Sequence, residues 1–548
     1  MKGDQKMGKM RRMISAFLVI MLVAGCLMGC GGSNKKEEAG SGDPKNGGTL
    51  VVGISQDPQS FNPNAKSDDV LFDIGQNIFS RLIKLNNKQE LVPDLAEKWE
   101  VSEDGKQITF HLREGVKWHD GENFTSKDVK WTFDQILNEN GQIKSNLSAV
   151  ESIEAPDDQT VVFKLSKNDA NLLSYLGWNG CLIMPAHLYE GTDWLDNPAN
   201  KEPIGTGPFK FVEYESGVSV TLERNDEYFG QVPYLDKIVY SIIPDENTAL
   251  QAFYNGELDI LGVNPPLSEL KSLEANQDLV VGMQQWPARY QVAFNVKDGV
   301  FADPKLRQAV AYGVDKDAVI EKALKGAGKR CDQAMVSLYK WALNTEDVYP
   351  ERDVEKARKL IEEAGYTADE NGMYFSVELD AWNEIPYSDI GTVIKDNLKE
   401  IGIDAKLNIT EMAAWNEKVW INHDYDVAIL GGFQGPDAGG LSLRFASDGS
   451  MNIYEYKNDK MDQVLADGRV KVGEEERKEC YVEAQRLLVE DLPMIPLSEM
   501  MLVTPYYSYV KGHPLDEDTI DKVGYKEYTY VWLDKYCLLY TSPSPRDA

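Results

Sequence analysis

The sequence predicts an α/β protein with more than one domain. The chain has 548 residues, 42% of them hydrophobic, which is enough for large cores that divide between domains. Helical and strand patterns alternate in residues 291–502, whereas residues 81–202 contain mainly strand patterns with short helices. This change of pattern indicates a strand-rich segment inserted into an α/β body.

The body begins with a strand pattern at residues 48–54, and similar patterns return at 222–225 and 237–243. A helical pattern over residues 354–364 ends at the glycine that follows it, and residues 425–430 form a continuous apolar run that predicts a buried strand. The chain shows no internal repeat.

A βαβ unit is predicted within the alternating region. Residues 374–379 form a strand pattern, 389–401 a helical one and 403–407 a second strand, with Gly402 ending the helix. One face of the predicted helix is apolar: Ile390, Val393, Ile394, Leu398 and Ile401. The two strands are therefore expected to lie side by side in a sheet.

Residues 108–133, ITFHLREGVKWHDGENFTSKDVKWTF, are the most informative segment of the chain. They predict a strand, a turn, a second extended run through Trp118, another turn and a helix. Thr125 and Asp128 have the spacing of a capping box at the start of that helix. These patterns establish local structure and leave the function open.

The amino terminus predicts export. A basic leader precedes the apolar residues 13–23, a stretch much shorter than the ~20 residues that span a bilayer. Residues 1–29 are therefore interpreted as a signal peptide. Both Cys26 and Cys30 follow small residues and resemble a bacterial lipidation site. Cys30 is preferred because residues 31–46 after it form a polar tether, and Cys26 remains the alternative.

Composition excludes some functions. The formal net charge is −32 at pH 7, with no basic patch interleaved with aromatic residues, which argues against a nucleic-acid partner. Cys480 fits a helical core position. The sequence does not decide whether Cys181 and Cys331 form a disulfide. There is no spacing typical of a metal site, and we expect no metal and no cofactor. Residues 537–548 read as a translated library adaptor and are excluded from function.

Several further motifs carry a family resemblance together with residues 108–133. They are GGTL (47–50), LVPDLA (91–96), GTGPF (205–209), ERNDEY (223–228), NGELD (255–259), DPKLRQA (303–309) and MIPL (494–497). In this order the chain resembles bacterial extracellular solute-binding protein family 5, the oligopeptide- and dipeptide-binding lipoproteins of ABC importers. The resemblance spans most of the predicted mature chain.

This resemblance implies a two-lobed periplasmic-binding-protein-like fold with an extra inserted domain, which closes over a ligand by a hinge. It implies domain I at residues 47–80, 203–290 and 503–536, domain II at 81–202 and domain III at 291–502. The expected protein is a monomer that captures peptides and delivers them to the permease and ATPase subunits of an ABC importer. Its lipid would anchor it to the cell membrane on the extracytoplasmic face.

The resemblance also implies where a peptide would be held. In the family, a carboxylate for the peptide amine follows a Gly-aromatic pair in a loop after a strand of domain III. The corresponding pair here is Gly432-Phe433, which makes Asp437 the candidate anchor. Pro436 stands where the family acid usually lies, one position earlier. The alternative is that Asp437 only begins a turn before residues 438–440.

Other side chains are candidates for the ligand site. Trp382, Trp415 and Tyr454 could line side-chain pockets or stack on a sugar ring, and core packing is the alternative for each. Arg444 could meet a ligand carboxylate or pair with an acid of the protein. These residues complete the predicted site.

The sequence does not favour an enzyme. Residues 337–340 fit S-x-x-K, but the partner motifs of that chemistry are missing, and there is no G-x-S-x-G, H-E-x-x-H or P-loop. Two alternatives to peptide capture stay open. The first is the same fold binding an oligosaccharide or another small solute, and the second is a secreted hydrolase.

Overall fold

The computed structural model describes residues 43–65, 68–139 and 141–535. Eighteen strands occur in this part of the chain. The first strands are β1 Thr49–Ile54, β2 Ile83–Leu85, β3 Leu91–Pro93, β4 Ala96–Val101, β5 Gln107–Leu112, β6 Val150–Asp157, β7 Thr160–Leu165, β8 Phe209–Glu215 and β9 Ser219–Arg224. The others are β10 Lys237–Ile242, β11 Leu279–Phe294, β12 Gly328–Arg330, β13 Phe375–Trp382, β14 Ile403–Thr410, β15 Val427–Gly431, β16 Met494–Tyr507, β17 Val510–Lys511 and β18 Trp532–Leu533.

The α-helices lie between these strands. They are α1 Asp69–Ile78, α2 Ser126–Asn138, α3 Leu172–Leu176, α4 Ala186–Tyr189, α5 Glu246–Tyr254, α6 Leu270–Ala275, α7 Pro304–Gly313, α8 Lys316–Ala318, α9 Val354–Glu363, α10 Tyr387–Glu400, α11 Met412–Trp415, α12 Ser442–Phe445, α13 Asp459–Val470 and α14 Glu474–Asp491. Short 3₁₀ helices occupy Lys144–Leu147, Pro198–Asn200, Leu267–Glu269, Val300–Ala302, Lys340–Ala342 and Ala438–Leu441. Val319–Ala323 and Asn416–Ile421 are π-helical.

The first lobe contains two four-stranded sheets. One has the order β1-β10-β9-β8, in which β1 runs parallel to β10 and the remaining pairs are antiparallel. The other, β4-β5-β7-β6, is antiparallel throughout. Apolar side chains of both sheets, such as Leu50, Val52 and Phe110, belong to a single hydrophobic core. We call this part of the protein lobe 1.

The second lobe is built on a six-stranded sheet with the order β12-β16-β11-β15-β13-β14. The predicted βαβ unit is confirmed: β13 and β14 are parallel neighbours, joined by α10. α10 buries Ile390, Ile394 and Leu398 in a core separate from that of lobe 1, because its apolar side chains recur on one face. We call this part lobe 2.

Two long antiparallel strands, β11 and β16, pass from one lobe to the other. Val292 of β11 and Ile495 of β16 lie in the core of lobe 2, whereas Tyr506 of β16 lies in that of lobe 1. Their pairing is interrupted between Gln285 and Arg289. Proline at position 287 has no N–H to donate to a ladder, which explains an irregularity there.

The segment singled out in the sequence adopts its expected helix and turns. Thr125 caps α2 in a reciprocal capping box with Asp128, as predicted. Gly115 and Gly121 have positive φ values of 71° and 94°, which suits the turns. The predicted second extended run forms only the isolated bridge between Lys117 and Asn123, because β5 pairs instead with β4 and β7.

Cys181, Cys331 and Cys480 are buried free thiols, so the possible Cys181–Cys331 disulfide is not formed. Cys480 packs on α14 as its helical position predicted. The predicted signal peptide, Cys26, Cys30, most of the tether and the tail at 537–548 lie outside the described residues. No helix within the described ranges is long and apolar enough to span a membrane. The boundaries of domains I–III stay a prediction.

Candidate functional site

A cleft of about 390 Å³ opens where lobe 1 meets the two crossing strands. Its walls come from the end of β1, from α1, from residues 243–246 and 262–264, and from Trp286 of β11. Residues 502–504 of β16 and the Tyr525–Lys526 turn complete the lining. A concave space of this size is typical of small-molecule sites.

A buried ion pair lies in the wall of this cleft. The Nζ of Lys526 lies 2.5 Å from Oδ2 of Asp73 and donates a hydrogen bond of 2.9 Å to the carbonyl of Gly262. Burial raises the pKa of Asp73, while Lys526 opposes that rise. Because each charge already has its partner, neither is a free anchor for a ligand.

A row of aromatic side chains connects both lobes at the edge of the cleft. The ring of Trp286 lies 5.4 Å from Trp178, 5.8 Å from Tyr525 and 6.3 Å from Phe433, measured between centroids. Trp178 and Tyr525 belong to lobe 1 and Phe433 to lobe 2. The row gives a ligand large apolar faces on either side of the crossing strands.

The backbone explains how Phe433 reaches this row. After β15, the N–H groups of Gly432 and Gln434 donate to the carbonyls of Arg289 and Pro287, at 2.7 and 2.8 Å. The loop therefore continues beside β11 as far as the irregular point next to Trp286. A Cβ atom at position 432 would lie 2.9 Å from the amide oxygen of Gln291, so a larger residue would require the Gln291 side chain to shift.

Asp437 lies in the predicted loop but already has several partners. Its carboxylate contacts the guanidinium of Arg477 at 2.6 Å and accepts from the Gly439 N–H at 2.8 Å, and the hydroxyl of Ser174 lies 3.4 Å away. The residue is 7% exposed. A peptide amine would have to compete with Arg477, so the amine-anchor role stays a prediction that this geometry does not favour.

The remaining predicted site residues are separated from the cleft. Trp415 and Tyr454 are 1% and 0% exposed and pack within the core of lobe 2, which is the alternative that the sequence left open. Trp382 packs against Trp415 at 5.2 Å. Arg444 donates to the carbonyls of Phe433 and Gly431, and no acid pairs with it among the described residues. Only Gly432 and Phe433 thus lie at the aromatic row.

Sequence reasoning missed the lobe 1 side of the site. Trp178 follows Gly177, and Trp286 precedes a proline inside a strand pattern, and such interruptions could have marked both tryptophans. Tyr525 and Lys526 carry no comparable signal. Their importance comes from the fold, because they lie more than 200 residues from Trp286 in the chain.

The lobes touch beside the cleft through polar groups. Arg469 pairs with Asp169 at 2.7 Å, and its carbonyl accepts from the N–H of Ala170. Arg477 donates to Asn171 at 3.0 Å. These contacts join residues 168–171 of lobe 1 to α13 and α14 of lobe 2. Within the described residues, no cluster of His, Cys, Asp and Glu has the arrangement of a metal site.

Comparison with known protein families matches residues 90–452 to the bacterial extracellular solute-binding proteins, family 5. The chain belongs to this family, whose members are extracellular solute-binding proteins. Two lobes joined by a pair of long strands are the architecture of a periplasmic binding protein.

The chain is similar to the oligopeptide-binding protein AppA of Bacillus subtilis, with 29% identity over 88% of this chain and 91% of that protein. It is 28% identical to heme-binding protein A of Haemophilus influenzae, over 88% and 92% of the two chains. The dipeptide-binding protein of Escherichia coli is 27% identical, over 85% and 92%.

Solved structures agree with this assignment. The substrate-binding protein CtaP of Listeria monocytogenes aligns with a TM-score of 0.80 and 27% identity, over 89% of this chain and all of that one. DppA of Helicobacter pylori, in complex with the peptide STSA, gives 0.71 and 26%, over 89% and 98%. Substrate-binding proteins of ABC transporters therefore share both the fold and the overall length of this chain.

Proposed function

We propose that this protein captures short peptides between its two lobes and delivers them to the permease of an ABC importer, which the ATPase subunits drive. The observation that carries the proposal is the cleft of about 390 Å³ beside an aromatic row that draws on both lobes. Relatives over nearly the whole chain are named as oligopeptide- and dipeptide-binding proteins.

The protein acts by binding and release, without turnover of its ligand. It works as a monomer, tethered to the extracytoplasmic face of the cell membrane by a lipid on Cys30, with Cys26 as the alternative. The net charge of −32 keeps the protein soluble at the membrane surface without selecting a ligand.

A second candidate is capture of another small solute by the same cleft. It is favoured by the partners of Asp437, which leave no free carboxylate for a peptide amine in the loop of lobe 2. A related structure, AgaA of A. tumefaciens R10 in complex with agropinic acid, has 28% identity and a TM-score of 0.69 with this chain. The binding class would stay the same and the cargo would differ.

Native mass spectrometry of the purified protein, followed by denaturation and identification of the released ligand, tests the proposal. We expect a heterogeneous set of short peptides. A single non-peptide solute would replace the cargo and keep the class, whereas conversion of added peptides to smaller products would overturn the binding function. The intact mass of protein extracted from membranes reports whether Cys30 or Cys26 begins the lipid-modified chain.

A further inference from the structure

A second, smaller pocket lies beyond the aromatic row, inside lobe 1. It is lined by α1, by residues 84–87 with Arg81, by Trp178, by Gln284 of β11 and by the turn at Tyr525. Phe72, Trp286 and Tyr525 line this pocket and the cleft alike, so the two spaces meet at these rings. The pocket has a volume of about 20 Å³, comparable with a single ordered water.

Arg81 supplies the positive charge of this pocket. The residue is 5% exposed, and its Nε donates to the carbonyl of Trp178 at 2.8 Å while the guanidinium lies 5.5 Å from the ring centroid of Phe72. No carboxylate forms a salt bridge with it among the described residues. Burial lowers the pKa of Arg81, and Asp94 opposes this shift from a distance.

The neighbouring charges are already matched. Lys84 pairs with Glu527 through both carboxylate oxygens, at 2.7 and 2.9 Å. Asp94 accepts from the backbone N–H of Arg81 at 2.7 Å, which uses an oxygen of that carboxylate. The end of the Arg81 guanidinium is therefore the group in this pocket that lacks an anionic partner at contact distance.

Three glutamines leave polar atoms unpaired in the same pocket, and one of these atoms is Oε1 of Gln89. Gln76 and Gln284 are each 5% exposed, yet Nε2 of Gln76 and Oε1 of Gln284 have no hydrogen-bond partner. The amide of Gln284 is oriented because its Nε2 donates to Asn87 at 2.7 Å. Buried polar atoms without partners are rare in folded proteins, and these three lie in a pocket next to an unpaired guanidinium.

We propose that this pocket binds one oxygen of a carboxylate of the captured peptide, with Arg81 and Gln76 donating to that oxygen and Gln284 accepting an adjacent N–H. The inference rests on the proposed function, since it names a chemical group of the same ligand. A carboxylate is the planar acceptor that a guanidinium binds best, and peptide N–H groups are the donors beside it.

The pocket volume limits what can enter. Room for one water suits a carboxylate oxygen and excludes a bulky side chain, so the rest of the peptide lies in the larger cleft against Trp286 and Tyr525. The carboxylate can belong to the C-terminus or to an acidic side chain. Asp437 is paired with Arg477, so the carboxylate bound at Arg81, and not the peptide amine, would set the orientation of the peptide.

Three pools of Ala-X-Ala tripeptides test the proposal by native mass spectrometry and calorimetry. The first pool has free C-termini, the second is C-terminally amidated and lacks acidic residues, and the third is amidated with X as glutamate. We expect the free-acid pool to bind at least 10-fold more tightly than the second pool. Tight binding of the third pool would identify an acidic side chain as the source of the carboxylate.

Arg81→Gln should remove the preference for acid over amide. Arg113→Gln is the matched control. The Nε of Arg113 donates to the backbone carbonyl of Asp94, and its guanidinium lies over the ring of Phe229. Arg113 therefore resembles Arg81 in its contacts but lies outside both pockets. The control should keep the preference. Melting temperatures show whether each variant is folded, and the comparison of pools on the unaltered protein needs no variant.

The outcomes separate this inference from the function on which it rests. Equal binding of the first two pools overturns the carboxylate pocket and leaves peptide capture intact. Binding of no pool overturns both proposals together. A preference that survives in a folded Arg81→Gln variant assigns the carboxylate to another residue and overturns the role of Arg81.

Discussion

At the scale of single residues, two charged groups that could have bound a ligand are paired within the protein. Asp437 with Arg477 and Asp73 with Lys526 each neutralise a group that could have bound a peptide terminus. Arg81, by contrast, has no carboxylate at contact distance from its guanidinium in the part of the chain that the structure describes. A residue type at a family position therefore does not establish its role, because its nearest partner decides whether its charge is available.

Replacing Asp437 with asparagine tests whether this residue contacts a ligand amine. We expect the variant to bind a free-amine peptide and its N-acetylated form with equally reduced affinity, because the change weakens the contact with Arg477 that holds the loop. Calorimetric titration with both peptides measures this. A loss confined to the free-amine peptide would establish the amine contact that the sequence predicted.

At the scale of elements, the β5–α2 segment is attached to the rest of lobe 1 by His119. The backbone N–H of Gly205 donates to Nδ1 at 3.2 Å, and Nε2 lies 3.0 Å from the carbonyl of Gly207, so the ring is neutral with its proton on Nε2. Burial lowers the pKa of His119 from 6.5 to about 4. Protonation would displace the Gly205 hydrogen bond.

Acidification should therefore destabilise the protein between pH 6.5 and about 4, because the unfolded chain protonates His119 in this range while the folded chain does not. One such group contributes a slope of up to about 1.4 kcal/mol per pH unit. His119→Gln should reduce the slope of unfolding free energy against pH, measured by urea denaturation. Burial also lowers the pKa of His513, to about 3, so the unfolding free energy of the His119→Gln variant should still depend on pH to a smaller degree.

His187 provides the control for this experiment. It lies near the same segment and pairs with Asp120 at 2.8 Å on the surface. His187→Gln removes a histidine of the same region and leaves the contacts of His119 with Gly205 and Gly207 in place, so an effect confined to His119→Gln belongs to those contacts. A His119→Gln variant with an unchanged slope would contradict the assignment of this titration to His119.

At the scale of the whole molecule, two cores are joined by β11 and β16 and meet again at a polar contact. Asp169 and Arg469, with the backbone of Ala170, hold residues of lobe 1 against α13 and α14 of lobe 2. Hinge closure has to form these contacts and opening has to break them. Their strength therefore influences how often the unliganded protein is closed.

Breaking the Asp169–Arg469 pair should favour the open form. We expect Arg469→Gln to increase the radius of gyration of the ligand-free protein in small-angle X-ray scattering and to weaken ligand binding several-fold, because the closed form loses the cationic partner of the buried Asp169. Glu490→Gln, which removes an ion pair with Arg486 inside α14, is the control. An unchanged radius in Arg469→Gln would show that the hinge alone sets the equilibrium.

The sequence by itself determined the local structure and the family. The periodicity of apolar residues predicted α10 and its flanking strands, and the capping-box spacing predicted the start of α2. The order of the motifs along the chain identified its family. The first two signals act over a few neighbouring residues, and the third is a matter of motif sequence and order. All three can be recognised without knowing the tertiary contacts of the chain.

Only the tertiary structure decided which side chains form the site. The row of Trp178, Trp286, Phe433 and Tyr525 combines segments that are far apart in the chain, and Arg477 reaches Asp437 from another helix. Such contacts depend on how the lobes pack about β11 and β16, since local patterns carry no information about distant partners. For the same reason Tyr454 was a candidate in the sequence and is a core residue in the fold.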